Sequence, residues 1–440
     1  MRFRHRVAVA ATLTCSLCAS SLVFAEGSAN WPHWRGPQGN GVSEGQNTPV
    51  SWSRTPEKTE NILWRLSLPG PAGATPVVWG ERIFLTSVGE NGDDLLLLCV
   101  DTSGKLLWSD KVGSGNKKVR SDEGNYASPS PITDGSHVLT FMANGLLACY
   151  DFDGKQLWKK DLQKDYGTFD IQFGLSSSPV LHGGKLFVQL IHGPWNKKQH
   201  VGLVVALDTK TGKQVWKHER VTDAVDECKH SYASPMLYAD DKQQFLITHG
   251  ADYVIAHNLE TGKEIWRCGG LNPKGAQYGN TLRFVASPAA APGLIVVPTA
   301  KNRKVVAIRP DGKGDITNSK EHIVWVMPSK TPDVPSPVIQ GGLVYLCREN
   351  GNLMAVDAKS GKLLYEKLTT RDRHRGSPVY ADGKIYLTAR NGVVSVVKAG
   401  REFEMLAQNS LGEPTTASPV IVGGRIYLRT FKALYAIGSK

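Results

Sequence analysis

An eightfold repeat is the feature of this sequence that most constrains its fold. A Ser-Pro or Thr-Pro step recurs along the chain at intervals of 41 to 56 residues, and each is followed by a segment rich in strand-forming residues. The eight steps carry Pro76, Pro129, Pro179, Pro235, Pro288, Pro337, Pro378 and Pro419. Each copy continues through short turns into further strands, usually with "TGK" or "SGK" before the fourth. Short strands without helical periodicity predict an all-β protein whose repeat is a four-stranded antiparallel sheet.

The fourth strand of most copies contains a large aromatic residue. A flat indole fills the wedge between two neighbouring sheets well, so we expect these residues to dock one sheet onto the next. The predicted docking residues are Trp64, Trp108, Trp158, Trp216, Trp266 and Trp325. Tyr365 takes this position in the sixth copy, and a weaker pattern surrounds Met405 in the seventh.

The two ends of the chain complement each other. The eighth copy has only three strands and ends at Lys440, whereas "ENILWRLSL" around Trp64 reads as a fourth strand that lacks the other three. Pairing residues 61–68 with the strand at 434–437 closes a ring and leaves no terminal sheet open to aggregation. The pattern therefore predicts an eight-bladed β-propeller over residues 61–440, with an N-terminal extension at 26–60 packed on it.

The first 25 residues have the pattern of a secretory signal peptide. Three arginines precede an apolar run from Val7 to Val23, and "VFA" before Glu26 suits a cleavage site. A short membrane anchor is the alternative, and both interpretations predict export. We expect a monomer in the periplasm or outside the cell, with no transmembrane segment in the mature chain.

The docking segments resemble a known family of repeats. "ALDTKTGKQVW", from Ala206 to Trp216, resembles the tryptophan-docking repeat of pyrroloquinoline-quinone (PQQ)-type propellers, and "CVDTSGKLLW" and "CYDFDGKQLW" are similar copies. The opening "WPHWRGPQGNGVS" is similar to that of exported, uncharacterised PQQ-like bacterial proteins. The repeat pattern is also similar to that of the outer-membrane assembly propeller. These resemblances imply the propeller fold and export.

The resemblance also raises the question of an enzyme. Quinoprotein dehydrogenases of this fold are known for a vicinal Cys-Cys disulfide and for carboxylate and Asn ligands to calcium. The sequence contains neither a Cys-Cys step nor a CxxCH haem motif, and no acidic cluster has the pattern of a calcium loop. We therefore assign no catalytic residue, no metal and no cofactor. The alternatives are a PQQ-dependent oxidoreductase and an enzyme with an unrecognised site at the channel mouth.

Five cysteines follow the predicted signal peptide. Cys99 and Cys149 lie in apolar strand segments, where a buried thiol is expected. Cys228 and Cys268 fall in predicted loops, so their pairing in an oxidising compartment is left open.

The loops that precede the eight steps should surround the mouth of the central channel. They are rich in aromatic and charged residues, which suit a ligand or peptide site. The predicted site residues are Tyr126, Phe173, His230, Tyr232, Arg283, Arg373, His374 and Arg375. The alternative is that these loops are polar caps without a ligand.

Charge adds a second feature to this face. The formal net charge of +12 falls to +9 without the three arginines of the signal peptide, so the excess belongs to the mature chain. The loops between second and third strands of the later repeats form a predicted positive crescent of Lys301, Arg303, Lys304, Arg348, Arg390, Arg429 and Lys432. The sequence therefore favours an exported, non-catalytic scaffold that binds a protein or an anionic cell-envelope polymer. Nucleic acid is not expected, because basic and aromatic residues do not alternate.

Overall fold

The computed structural model describes residues 30–45, 47–54, 59–119, 124–195 and 201–439, and the predicted signal peptide lies outside them. These residues form eight sheets of four antiparallel core strands, which confirms the predicted eight-bladed propeller. Apart from one five-residue α-helix, Leu162–Tyr166, the described helical segments are 3-10 turns at Asp226–Lys229 and Gly275–Gln277. None of the described helices is long and apolar enough to span a membrane.

The blades follow one another in chain order, each from its innermost to its outer strand. The strands of blade 1 are Val77–Trp79, Arg82–Val88, Leu95–Asp101 and Leu106–Gly113; of blade 2, Ile132–Thr133, His137–Phe141, Leu146–Asp151 and Gln156–Asp161; of blade 3, Val180–His182, Lys185–His192, Val201–Asp208 and Gln214–Glu219; and of blade 4, Met236–Ala239, Gln244–Gly250, Tyr253–His257 and Glu264–Cys268.

The second half of the ring repeats this order. The strands of blade 5 are Ala289–Ala291, Leu294–Pro298, Val305–Ile308 and Ile323–Met327; of blade 6, Val338–Gln340, Leu343–Cys347, Asn352–Asp357 and Leu363–Leu368; of blade 7, Val379–Ala381, Lys384–Thr388, Val393–Lys398 and Met405–Ser410; and of blade 8, Val420–Val422, Arg425–Arg429, Ala433–Ile437 and Ile62–Ser67.

Several short strands lie outside this plan. Val42–Ser43 adds a fifth strand to blade 7, parallel to its innermost strand. Gly314–Asp315 adds a fifth strand to blade 4, parallel to its outer strand. Two small antiparallel pairs join Ser53–Arg54 to Thr59–Glu60 and Lys118–Val119 to Gly124–Asn125.

Blade 8 is built from both ends of the described chain. Its outer strand, Ile62–Ser67, lies antiparallel to Ala433–Ile437, and Trp64 is paired with Ala436. Side chains of blades 7, 8 and 1 share one hydrophobic cluster across this junction. A strand from the beginning of the propeller thus covers the edge that the last three strands would otherwise expose.

The turn before each outer strand shows why the repeat has its sequence. In "ALDTKTGKQVW", the Asp208 carboxylate accepts hydrogen bonds from the Thr211 amide and hydroxyl, at 2.8 and 2.7 Å. Gly212 has φ of +66°, and a Cβ atom there would lie 2.8 Å from the Trp158 ring of the preceding blade. Glycine is needed at this position both for its left-handed backbone and for close approach of the indole.

Each of the six tryptophans reaches the following blade. The indole nitrogen donates to a backbone carbonyl there at 2.8–3.1 Å. The pairs are Trp64–Thr102, Trp108–Phe152, Trp158–Thr209, Trp216–Leu259, Trp266–Pro310 and Trp325–Ala358. The same side chain therefore fills the wedge and bonds one blade to the next.

The five described cysteines are free and buried. Cys228 and Cys268 do not form the disulfide that the sequence left open. Cys228 lies in a 3-10 turn with its thiol 2.9 Å from the Gly279 carbonyl oxygen, and Cys268 ends the outer strand of blade 4.

Candidate binding site at the channel mouth

A closed ring of hydrogen bonds surrounds the channel where the innermost strands begin. In every blade, the backbone N–H of one Ser or Thr donates to the hydroxyl of the corresponding residue in the next blade, at 2.8–3.2 Å. The members of this hydroxyl ring are Thr75, Ser130, Ser178, Ser234, Ser287, Ser336, Ser377 and Ser418. The last bond runs from the Ser418 amide back to Thr75, so the ring has no gap.

The hydroxyl ring revises the repeat in blade 2. The sequence there is "ASPSP", and the interpretation above placed the step at Pro129, which follows Ser128. The ring instead uses Ser130, which precedes Pro131. Both dipeptides fit the pattern equally well, and only the register of the blade against its neighbours selects the second.

A cavity of about 200 Å³ opens immediately before this ring. The residue two positions before each ring hydroxyl lines it, so every blade contributes one side chain or glycine. These eight residues are Gly73, Ser128, Ser176, Tyr232, Val285, Val334, Arg375 and Thr416. The cavity therefore lies at the channel mouth, on the face where the loops before the innermost strands meet.

Four of the predicted site residues line this cavity: Phe173, Tyr232, Arg283 and Arg375. The Phe173 and Tyr232 rings lie 5.9 Å apart, and the Arg283 guanidinium lies 5.2 Å from the centre of the Phe173 ring. Arg283 also forms an ion pair of 3.0 Å with the buried Glu227. One wall is therefore an aromatic pair held in place by a partly neutralised arginine.

The opposite wall contains Arg375, whose guanidinium lies 3.1 Å from a carboxylate oxygen of Glu349. The side chain is only 8% exposed, because the ion pair holds it inward. Arg373 does not reach the mouth cavity and is exposed at an adjacent groove. That groove lies over blades 5 to 7 and includes Asp333 and Asp372.

The other three predicted residues support the mouth from behind. Tyr126 packs beside Gly174, where a Cβ atom would lie 2.8 Å from its ring. His230 is buried and bonds through Nε2 to the Gly193 carbonyl oxygen at 2.9 Å. His374 is buried with Nδ1 3.1 Å from the Asp372 carbonyl oxygen. Burial lowers the pKa of both histidines, so they are neutral loop anchors near neutral pH.

The predicted positive crescent is weaker than its sequence indicates. Arg429 is fully buried between blades 8 and 1, where it donates to the Thr86 carbonyl at 2.6 Å. Arg348 lies 3.0 Å from Glu366, whose other oxygen accepts from Lys330 at 2.5 Å. Because ion pairs and burial account for these arginines, less free positive charge faces solvent than the residue count implies.

The N-terminal segment at 30–45 packs on the innermost strands, away from the channel mouth. Trp31 bridges to Val78 at the inner edge of blade 1, and the Thr133 amide of blade 2 donates to the Pro32 carbonyl at 3.0 Å. Val42–Ser43 pairs with the innermost strand of blade 7, and the Ser43 hydroxyl donates to the Ile421 carbonyl of blade 8 at 2.7 Å. The segment thus contacts the innermost strands of blades 1, 2, 7 and 8, beyond the hydroxyl ring as seen from the mouth cavity.

Sequence reasoning missed several residues of this site. It did not single out Val285, Val334 or Thr416, because small and apolar residues lack an obvious functional signature. Their common spacing from the ring residue was the available signal. It also gave no role to Arg35, which is buried against the backbone of blades 6 and 7.

The mouth cavity is small for a PQQ–calcium centre. The mouth cavity of about 200 Å³ is smaller than the roughly 300–1,000 Å³ of typical small-molecule pockets. Among the described residues, no group of three His, Cys, Asp or Glu side chains is placed to hold a metal ion. The cavity has the dimensions of a pocket for one or two side chains.

Comparison with known proteins agrees with the repeat and the fold. A family model described as outer membrane protein assembly factor BamB matches residues 93–318, 143–394 and 250–439 in overlapping stretches. The chain therefore belongs to this family of PQQ-like propeller repeats, which confirms the resemblance drawn from the docking segments.

Two curated relatives illustrate the range of the family. BamB of Burkholderia pseudomallei (strain K96243) is 23% identical over 303 residues, which cover 68% of this chain and 66% of that protein. A polyvinylalcohol dehydrogenase from a Pseudomonas species is 23% identical over 239 residues, covering 47% of this chain and 35% of the enzyme. The matches thus span less than two thirds of each relative.

Solved structures show the same fold. BamB from Moraxella catarrhalis superposes with a TM-score of 0.59 at 13% identity, covering 86% of this chain and 97% of that one. A europium-containing methanol dehydrogenase superposes with a TM-score of 0.67 at 13% identity, covering 92% and 90%. At these identities the likeness concerns the propeller architecture alone.

Proposed function

We propose that this protein is an exported, non-catalytic scaffold that binds a segment of another protein at the channel mouth. The observation that carries the proposal is the mouth cavity, to which each of the eight blades contributes one residue. Its size suits one or two side chains, and its wall combines the Phe173–Tyr232 pair with Arg283 and Arg375. Aromatic and arginine side chains are the residues that contribute most often to protein–protein binding energy.

A protein partner is favoured over an anionic polymer. A polymer site needs a continuous basic surface, whereas Arg348 and Arg375 are ion-paired and Arg429 is buried. The family model and the Burkholderia relative carry the name of an outer membrane protein assembly factor, which supports a partner that is itself a protein.

Site-specific photo-crosslinking tests the proposal. A benzophenone amino acid at Val334 lies in the mouth cavity, whereas one at Lys213 lies in an exposed turn before an outer strand, on the opposite face. We expect the Val334 position to crosslink one defined protein in intact cells and the Lys213 position to leave that protein unlabelled. Val334→Trp should fill the cavity and abolish capture without lowering the melting temperature. Capture from Lys213 with none from Val334 would refute the choice of face.

The second candidate is a PQQ-dependent oxidoreductase, which the dehydrogenase relative favours. Its test is independent of any partner. Purified protein is mixed with PQQ and Ca²⁺, and bound quinone and dye-linked alcohol oxidation are measured. Stoichiometric quinone with substrate-dependent dye reduction would replace the scaffold proposal.

A further inference from the structure

The ring hydroxyls have a donor hydrogen that the described residues leave unused. Each oxygen accepts one backbone N–H, yet none of the eight donates its hydrogen to an acceptor among the described residues. The eight residues are only 3–6% exposed. A buried O–H group without an acceptor is costly, so these donors favour an acceptor inside the channel.

A buried cation lies next to the same ring. Arg35 is 3% exposed, and its guanidinium donates to the carbonyls of Pro378 at 2.9 Å and Pro337 at 2.5 Å. These prolines directly follow Ser377 and Ser336 of the hydroxyl ring. The guanidinium therefore lies about one residue below the ring, beside blades 6 and 7.

The charge of Arg35 has no counter-ion in the described part of the chain. No described carboxylate lies within the 4.0 Å ion-pair distance of its guanidinium, and the groups that accept its hydrogen bonds are neutral carbonyls. Burial lowers the pKa of Arg35 to about 9, so the side chain remains charged at neutral pH. Carbonyl dipoles solvate such a charge but do not cancel it, and an uncompensated buried charge is strongly destabilising.

We propose that the channel binds a small monovalent anion, with chloride as the natural candidate, between the hydroxyl ring and Arg35. The anion accepts hydrogen bonds from ring hydroxyls, chiefly those of Ser336 and Ser377, and neutralises the guanidinium. One ion thus supplies an acceptor for the hydroxyls on this side of the ring and a negative charge for Arg35. A single cation balances one negative charge, which is why a monovalent anion fits better than a divalent one. This site is separate from the mouth cavity of the proposed function.

Bromide replaces chloride and can be located directly. Crystals of the full chain soaked in sodium bromide should show an anomalous peak in the channel, within hydrogen-bonding distance of ring hydroxyls and near the Arg35 guanidinium. Density for water alone in the channel, or bromide confined to the outer surface, would overturn the proposal. This measurement uses the wild-type protein, so it does not depend on the folding of any variant.

Thermal melting gives a second, independent readout. At constant ionic strength, replacing gluconate by chloride should raise the melting temperature of the wild type by about 2 °C or more, because the ion binds the folded state alone. Arg35→Met should abolish this chloride response, and the paired changes Ser336→Ala and Ser377→Ala should reduce it.

Arg429→Met is the matched control. Arg429 is also fully buried and donates to backbone carbonyls, but its partners are Thr86, Gly70 and Thr430 rather than residues beside the ring pair Ser336 and Ser377. This variant should lose stability and retain the chloride response. An equal loss of response in both arginine variants would show a general salt effect and refute the site.

Discussion

Replacing Trp216 measures how strongly the docking residues hold the blades together. The side chain is 8% exposed, packs 5.8 Å from the Phe187 ring and donates to the Leu259 carbonyl of blade 4 at 3.0 Å. An aromatic side chain of this size buries about 150–250 Å², which at about 25 cal/mol per Å² amounts to about 4–6 kcal/mol. We therefore expect Trp216→Ala to lower the free energy of unfolding by about 3–5 kcal/mol, as for other large buried aromatics.

A pair of conservative changes separates the hydrogen bond from the packing. Trp216→Phe keeps a ring in the wedge but leaves the Leu259 carbonyl without its donor, at a cost of about 1–3 kcal/mol. Tyr365 is the residue at the same position of blade 6, and its hydroxyl has no hydrogen-bond partner among the described residues. Tyr365→Phe should therefore be neutral or slightly stabilising.

The assay is urea unfolding followed by tryptophan fluorescence and by far-UV circular dichroism, with capture at the mouth as a functional control. Coincident transitions are required before the midpoints are compared as free energies. A Trp216→Ala protein with an unchanged midpoint would refute the docking role. So would a Tyr365→Phe variant that loses as much stability as Trp216→Phe.

Two further predictions concern charge and pH. Glu413 joins both strands of the closing pair, because its carboxylate accepts from Arg65 at 2.9 Å and from Tyr435 at 2.8 Å. Glu413→Gln should therefore lower the free energy of unfolding by about 1.5–3 kcal/mol. Glu260→Gln, in an exposed turn, is the control and should leave the free energy of unfolding unchanged. An unchanged urea midpoint for Glu413→Gln would contradict this role. Burial lowers the pKa of His249 and His257 from 6.5 to about 3, so the unfolded chain binds protons that the folded chain excludes. Stability is then fully present above pH 6.5 and falls between pH 6.5 and 3, and a melting temperature that stayed constant over that window would contradict the buried, neutral state.

The sequence by itself was sufficient for the blade count and for the pairing partner of the last strand. Turn residues such as Asp208 and Gly212, and the tryptophan that follows, act within one blade and its neighbour, so they leave a local pattern in most repeats. The incomplete eighth copy and the isolated strand around Trp64 are likewise visible in the sequence. Every blade of a closed ring needs four strands, so a copy with only three is easy to recognise. The aromatic and charged composition of the mouth loops was also apparent.

Only the tertiary structure decided how those loops are used. Arg375 is held by Glu349, Arg429 is buried against blade 1, and Ser130 rather than Ser128 enters the hydroxyl ring. Arg35 donates hydrogen bonds to the carbonyls of Pro337 and Pro378, which lie 302 and 343 positions away in the sequence. Such contacts arise where eight blades converge on one axis, and no residue type or spacing within a single repeat encodes them. The physical reason is that a local pattern specifies each blade, whereas burial and charge at the channel depend on the closed ring as a whole.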